Sequence, residues 1–272
     1  MIVLEVISLR IEDIHVTRWG QSGPRVVLIH GSAQGSSVGG SRHFAAQERL
    51  GDEGWQVFVP DRPGHGLSPA PGRPDDAELD GAWVADMLGD GAHLVGHSFG
   101  GCVALAAAAR RPGAVHSVTL IEPAMMLLAI GDRRVKRFVI RLVMINLLSF
   151  SPTSRAVRMT RYLHIPSEIR GDSSPEELKR TGDALRRLRV VSKTTLEHEL
   201  DAVKAAGLPL LVVSGGWSPG IEATADAVAA RGAGRRLLIR ADHHFPQLES
   251  NAFNEELAAF MRQADHAAGR FA

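Results

Sequence analysis

The 272-residue sequence predicts an α/β fold: a mostly parallel sheet of eight strands, helices on both faces, and a helical insertion. Three observations predict it. Short β-branched runs alternate with alanine-rich helical stretches over the first 124 residues, the pattern of strand–helix–strand units. From about 125 to 206 the alternation stops, and arginine-rich amphipathic segments take its place. From 207 it resumes to the C-terminus.

The candidate strands, in order, are "IVLEVISLR", "IHVTRW", "RVVLIHG", "QVFVPD", "HLVGHS", "SVTLIEP", "LPLLVVSGG" and "RRLLIRA". The first two are expected to form an antiparallel edge. Most of the others are nearly continuous apolar runs, as parallel strands buried on both faces tend to be. Helices are expected near 43–52, 75–88, 99–111, 222–230 and 251–263, the third of them ended by Pro112, which cannot continue a helix. The segments "RRVKRFVIRLVMINLL", "SPTSRAVRMTRYL" and "SPEELKRTGDALRRLRV" contain nothing strand-like. The simplest organisation is therefore a core of 1–124 and 207–272 interrupted by a helical cap of 125–206, far longer than an ordinary loop. No internal repeat is visible.

Thirty-one Lys+Arg against thirty Asp+Glu leave the chain near neutral, so neither nucleic acid nor a charged membrane surface is the expected partner. A small molecule is, with the chain a monomer or homodimer. The single cysteine, Cys102, forms no internal disulfide and reads as a small buried hydrophobe in a cytoplasmic protein. The N-terminal stretch lacks the basic region of a signal peptide and reads as a strand. The apolar run 138–150 is short for a bilayer span and contains Arg141.

"HLVGHSFGG" carries the chemistry. Gly96-His97-Ser98-Phe99-Gly100 fits G-x-S-x-G with a strand before and a helix after. A sharp strand-to-helix turn holds the serine in a strained conformation in which side chains two residues to either side would collide, and glycines remove the collision. The helix start then points free amides at the same spot. The bland alternative is a glycine-rich turn with an incidental serine. A serine needs a base, and twelve histidines are too many for abundance to choose one.

Together with "VVLIHGSAQG", "VPDRPGHGLSP" and "HHFPQLES", this stretch resembles the α/β-hydrolases with a helical cap. The resemblance implies an oxyanion hole made by the backbone N–H groups of Ser32 and Phe99, with Ala33 the fallback for the first. It gives His30 a structural role and makes 61–68, including Asp61 and His65, a structural loop. It places the base at His244, ahead of Phe245 and Pro246, with His243 beside it in the position usually held by glycine. A metal site built from that histidine pair is not expected, since adjacent ligands point apart.

The acid departs from the family pattern. Ser218 stands where the aspartate is expected after "LPLLVVSGG", and no carboxylate follows until Glu222. Glu122, at the end of "SVTLIEP", is the replacement: certain haloalkane dehalogenases and the fungal zearalenone lactonases resemble this chain in carrying their acid there. Glu222 and Asp226 are the remaining candidates. Ser98 at the elbow argues against dehalogenase and epoxide-hydrolase chemistry, both of which use aspartate. The expected function is hydrolysis of a small hydrophobic ester or lactone with a Ser98-His244-Glu122 triad and no cofactor. Carbon–carbon bond hydrolysis of a diketone and a non-catalytic ligand-binding relative are the alternatives. Ala33, Met125, Met126, Trp217 and Phe245 are candidate pocket residues. Trp217 suits a substrate wall and a structural plug equally, and the methionines suit ordinary packing as well as a pocket. The basic run "RRVKR" reads as a solvated helix face.

Overall fold

The computed structural model describes residues 11–171, 173–249 and 251–270. Its sheet has seven strands among the described residues: β1 (Val16–Trp19), β2 (Arg25–Ile29), β3 (Gln56–Pro60), β4 (Ala92–His97), β5 (Val115–Ile121), β6 (Leu210–Ser214) and β7 (Arg235–Leu238). Their order is β1-β3-β2-β4-β5-β6-β7, with β1 antiparallel at one edge and every other pair parallel. The eighth expected strand, at 2–10, lies outside the described residues.

Strand residues alternate between two cores, because successive side chains leave a strand on opposite faces. On one face Val27, Leu94, Leu120 and Val212 pack under α2 (Ala77–Met87), α3 (Phe99–Arg110) and α8 (Pro219–Gly232). On the other, Val26, Val95, Ile121 and Val213 meet Phe44, Leu50 and α9 (Asn251–Ala267). The helix expected at 43–52 is instead a four-residue helix, α1 (Gly40–His43), followed by a 3-10 stretch from Ala45 to Gly51.

Between β5 and β6 stand α4 (Arg133–Leu148), α5 (Pro152–Tyr162), α6 (Pro175–Arg187) and α7 (Lys193–Ala205). The sequence starts them locally: the hydroxyls of Ser151, Ser174 and Ser192 accept from the N–H groups of Ser154, Glu177 and Thr195, and proline opens α5 and α6. Arg155, buried, ties three of them together by donating to the carbonyls of Asn146 and Gly182. The fourth, α7, returns to the core, where Leu196, Leu200 and Val203 pack into the α3 side of the sheet.

Candidate active site

The chain gathers its chemistry where the parallel strands end, the usual ligand edge of such a sheet. Ser98 follows β4, Glu122 follows β5, and His244 lies beyond β7. Ser98 has φ 55° and ψ −122°, a conformation that costs a non-glycine residue on the order of 1–3 kcal/mol. The flanking glycines permit it. A Cβ on Gly96 would overlap the Gly100 carbonyl oxygen and stand 2.7 Å from Gly101 Cα, and one on Gly100 would overlap the carbonyl oxygens of Ile29 and His30.

His244 Nε2 lies 2.9 Å from Ser98 Oγ, and its Nδ1 lies 2.5 Å from Glu122 Oε2. A carboxylate only accepts, so Nδ1 carries the proton and Nε2 is left to accept from the hydroxyl. Glu122 is fully buried and has φ 42°. Its other contacts are the N–H of Gly215 on Oε1 at 2.8 Å and the indole N–H of Trp217 on both oxygens, at 3.0 and 2.9 Å. Hydroxyl, imidazole and carboxylate thus form one hydrogen-bonded line, the arrangement in which a serine gives up its proton as it attacks.

The other candidate acids are engaged elsewhere. Glu222 accepts from Ser214 Oγ, Gly216 N–H and Arg236, and Asp226 also pairs with Arg236. Ser218 simply begins α8. His243 accepts from the Phe245 N–H through Nδ1 and meets Glu249 Oε1 at 2.7 Å through Nε2, so both its ring nitrogens have partners other than Ser98.

A buried ion network sets the loop after β2. The Arg62 guanidinium bonds Asp75, Asp80 and the Gly31 carbonyl, and Asp75 in turn accepts from Ser32 Oγ at 2.7 Å. Burial works against the charges of Arg62 and Asp75, yet their mutual attraction outweighs it, raising the Arg62 pKa and lowering that of Asp75. His30 also donates to the Gly31 carbonyl. With that oxygen clamped, the Ser32 N–H of the same trans peptide points the opposite way. Asp61 and His65 act within this scaffold, as expected: Asp61 accepts from the N–H groups of Gly40 and Leu67, and His65 Nδ1 faces the carbonyls of Arg62 and Pro63.

A cavity of about 360 Å³ lies over Ser98, within the 300–1,000 Å³ of ordinary ligand sites. Ser32, Phe99 and His244 line its reactive end, and Phe138, Leu142 and Leu147 of α4 line its roof. Met126 and Phe245 line it. Met125 does not: it is fully buried in the core beneath, because the chain turns there directly off β5. Nor does Trp217, whose ring covers Glu122. Ala33 lines a neighbouring, more polar cavity of about 540 Å³ that shares Ser32, His43, Ile165 and Phe245 with the first.

Sequence reasoning passed over the supports of His244. His97 Nε2 donates to the His244 carbonyl at 2.6 Å, and the His244 N–H reaches the Leu163 carbonyl at 3.3 Å. His164 donates to the carbonyl of Asp242. The signal for His97 was present, since it is the variable residue before Ser98, but nothing in the pattern gave it a task. Burial above all, and neighbouring positive groups, push His30, His43, His65 and His97 below the usual histidine range, His43 to about 3. These rings are neutral packing and hydrogen-bonding groups. Burial likewise pushes the Cys102 thiol up, leaving it inert.

A model of the alpha/beta hydrolase family matches residues 26–259. The chain belongs to that family. Among curated proteins it is 41% identical over 121 residues to Lipase LipV of Mycobacterium tuberculosis, covering 42% of this chain and 43% of the lipase. The chain spans about two-fifths of the length of the curated relatives it matches. Among solved structures, a hydrolase from Oleispira antarctica superimposes with a TM-score of 0.69 at 17% identity, over 95% of this chain and 99% of that one. The N-acyl homoserine lactonase AidH gives 0.66 at 22% identity, over 92% and 93%. At such identities these two likenesses concern the fold.

Proposed function

We propose that this alpha/beta hydrolase cleaves hydrophobic carboxylic esters or lactones through an acyl-enzyme formed on Ser98. The observation that carries this reading is the line from Ser98 Oγ through His244 to Glu122, at 2.9 and 2.5 Å. His244 takes the hydroxyl proton as Ser98 attacks the carbonyl carbon, then gives it to the departing alkoxide. A water deprotonated by the same nitrogen hydrolyses the acyl-enzyme. Glu122 fixes the tautomer and stabilises the imidazolium. The N–H groups of Ser32 and Phe99 receive the oxyanion, a contribution of roughly 3 kcal/mol per donor in comparable sites.

The lining of the cavity supports an apolar acyl group. Beyond the Ser98–His244–Glu122 line and Ser32, His43, His97, Asn146 and Arg186 are its polar members among many aliphatic ones. Helices α4 to α6 act as a cap over it, which excludes a threading peptide. The names of the lipase and lactonase relatives fit the same reading. We place the protein in the cytoplasm, supported by its single buried cysteine.

The test is hydrolysis of a p-nitrophenyl ester series and of macrocyclic lactones by the wild type and by Ser98→Ala. Turnover of medium-chain esters or lactones, abolished in the variant, is expected. Turnover that survives Ser98→Ala, or none by the wild type on any member, contradicts the proposal.

A further inference from the structure

The near-zero net charge conceals an uneven distribution. Residues 133–162 carry seven arginines, one lysine and no carboxylate. Arg133, Lys136, Arg137 and Arg141 are exposed on the first turns of α4. On the same solvent-facing stripe, later in the helix, come Ile140, Met144, Leu147 and Leu148. At 100° per residue these eight positions fall within one face of about 140°, which leaves out the buried Val135, Phe138 and Ile145.

Of the eleven large apolar side chains exposed among the described residues, seven lie between Ile140 and Val157, so the exposure is a patch rather than a scatter. Leu147 is 74% exposed, and Phe150 stands wholly in solvent at the turn between α4 and α5. Soluble surfaces rarely concentrate apolar groups this way without a partner. The patch also continues into the site. Val143, Leu147 and Val190 line the cavity over Ser98 and are exposed as well, so they form the rim of its mouth.

We propose that the solvent face of α4 and the α4–α5 turn dock on an anionic lipid–water interface, with the mouth of the Ser98 cavity set into the docking face. Charge selects this occupant. Apolar side chains flanked by cations on one helix face suit a surface that offers hydrocarbon just below a layer of negative headgroups, and Arg and Lys stems lie along the apolar residues while their charges reach the headgroups. A second copy of the chain would bring cations against cations across a two-fold axis. The contact is interfacial, since no helix among the described residues is long and apolar enough to cross a membrane. An apolar ester dissolved in the lipid then enters the cavity without crossing water.

The test is co-sedimentation with phosphatidylglycerol–phosphatidylcholine vesicles and with pure phosphatidylcholine vesicles, at low and high salt. The wild type is expected to sediment with the anionic vesicles, to bind the neutral ones on the order of tenfold more weakly, and to be released by salt. Leu148→Asp with Phe150→Asp, and separately Arg137→Glu with Arg141→Glu, are each expected to weaken anionic binding by about tenfold or more. Unchanged thermal melting and unchanged turnover of a short soluble ester show that these surface variants are folded. Three results overturn the proposal: a wild type that stays in the supernatant, binding equal on both vesicles, or variants that bind as the wild type does. A dimer in light scattering that the Asp pair dissociates overturns it too, by showing that a second copy covers the face.

Discussion

The indole N–H of Trp217 donates to both carboxylate oxygens of Glu122, and the same carboxylate accepts from His244 Nδ1. The tryptophan occupies the loop where the family pattern expects its acid. Its ring covers an acid supplied by the neighbouring strand. Trp217→Phe keeps the apolar bulk and removes the donor. A hydrogen bond to a charged group is worth about 1.5–3 kcal/mol, so kcat is expected to fall by roughly 10- to 100-fold with KM nearly unchanged. Steady-state kinetics on a p-nitrophenyl ester measure both. A rise in KM at constant kcat would instead make Trp217 a substrate wall.

Glu122→Gln is expected to cost on the order of 10⁴-fold in kcat, because an amide lets the ring adopt the wrong tautomer. Glu222→Gln loosens the contacts with Arg236, Ser214 and Gly216, none of which involves the imidazole. Its kcat is expected to stay within about threefold of wild type, with less than about 1 kcal/mol of stability lost. The two variants assayed side by side decide which carboxylate serves His244.

How much of this was readable beforehand varies with the range of the interaction. G-x-S-x-G, a pattern of five neighbouring residues, foretold Ser98, its glycines and the helix after it. Glu122 was reachable because its strand end could be counted and the usual aspartate was visibly missing. Trp217 suited a substrate wall and a structural plug equally, since its contact with Glu122 joins positions 95 apart in the chain. Met125 and Met126 are neighbours of equal polarity, and only the turn off β5 decides which one meets the cavity. His97 and Leu163 hold His244 by its backbone carbonyl and N–H, and contacts to a residue's backbone leave no mark in that residue's side-chain pattern.

Gly96→Ala and Gly100→Ala are expected to fail structurally before they fail chemically. Each new Cβ falls against backbone that cannot move without displacing β2 or α3. A loss of about 3 kcal/mol or more is expected for each, read as a lowered midpoint in urea denaturation. A variant that melted like wild type would mean that the turn is looser than described.

Stability should fall on acidification. His43 titrates near 3 when folded and near 6.5 when unfolded, so the unfolded chain binds the extra proton as pH drops below about 6.5. By pH about 4.5 that imbalance costs ~3 kcal/mol from His43 alone, and His30, His65 and His97 shift in the same direction. Glu199 works the other way. Burial, with help from Glu78, raises its pKa to about 8, so its contribution is complete below about 4.5 and is lost as pH rises through 8. Melting temperatures across pH 4 to 9 are expected to trace a dome, and Glu199→Gln is expected to flatten its alkaline side.

The most direct measurement is labelling with a fluorophosphonate followed by peptide mass spectrometry. Such a probe reacts with an activated serine and spares an ordinary one. The expected result is one modified peptide, bearing the adduct on Ser98, lost in His244→Ala and strongly slowed in Glu122→Gln. An unlabelled Ser98 in the folded wild type, or labelling that proceeds at the same rate without the imidazole, would contradict the account.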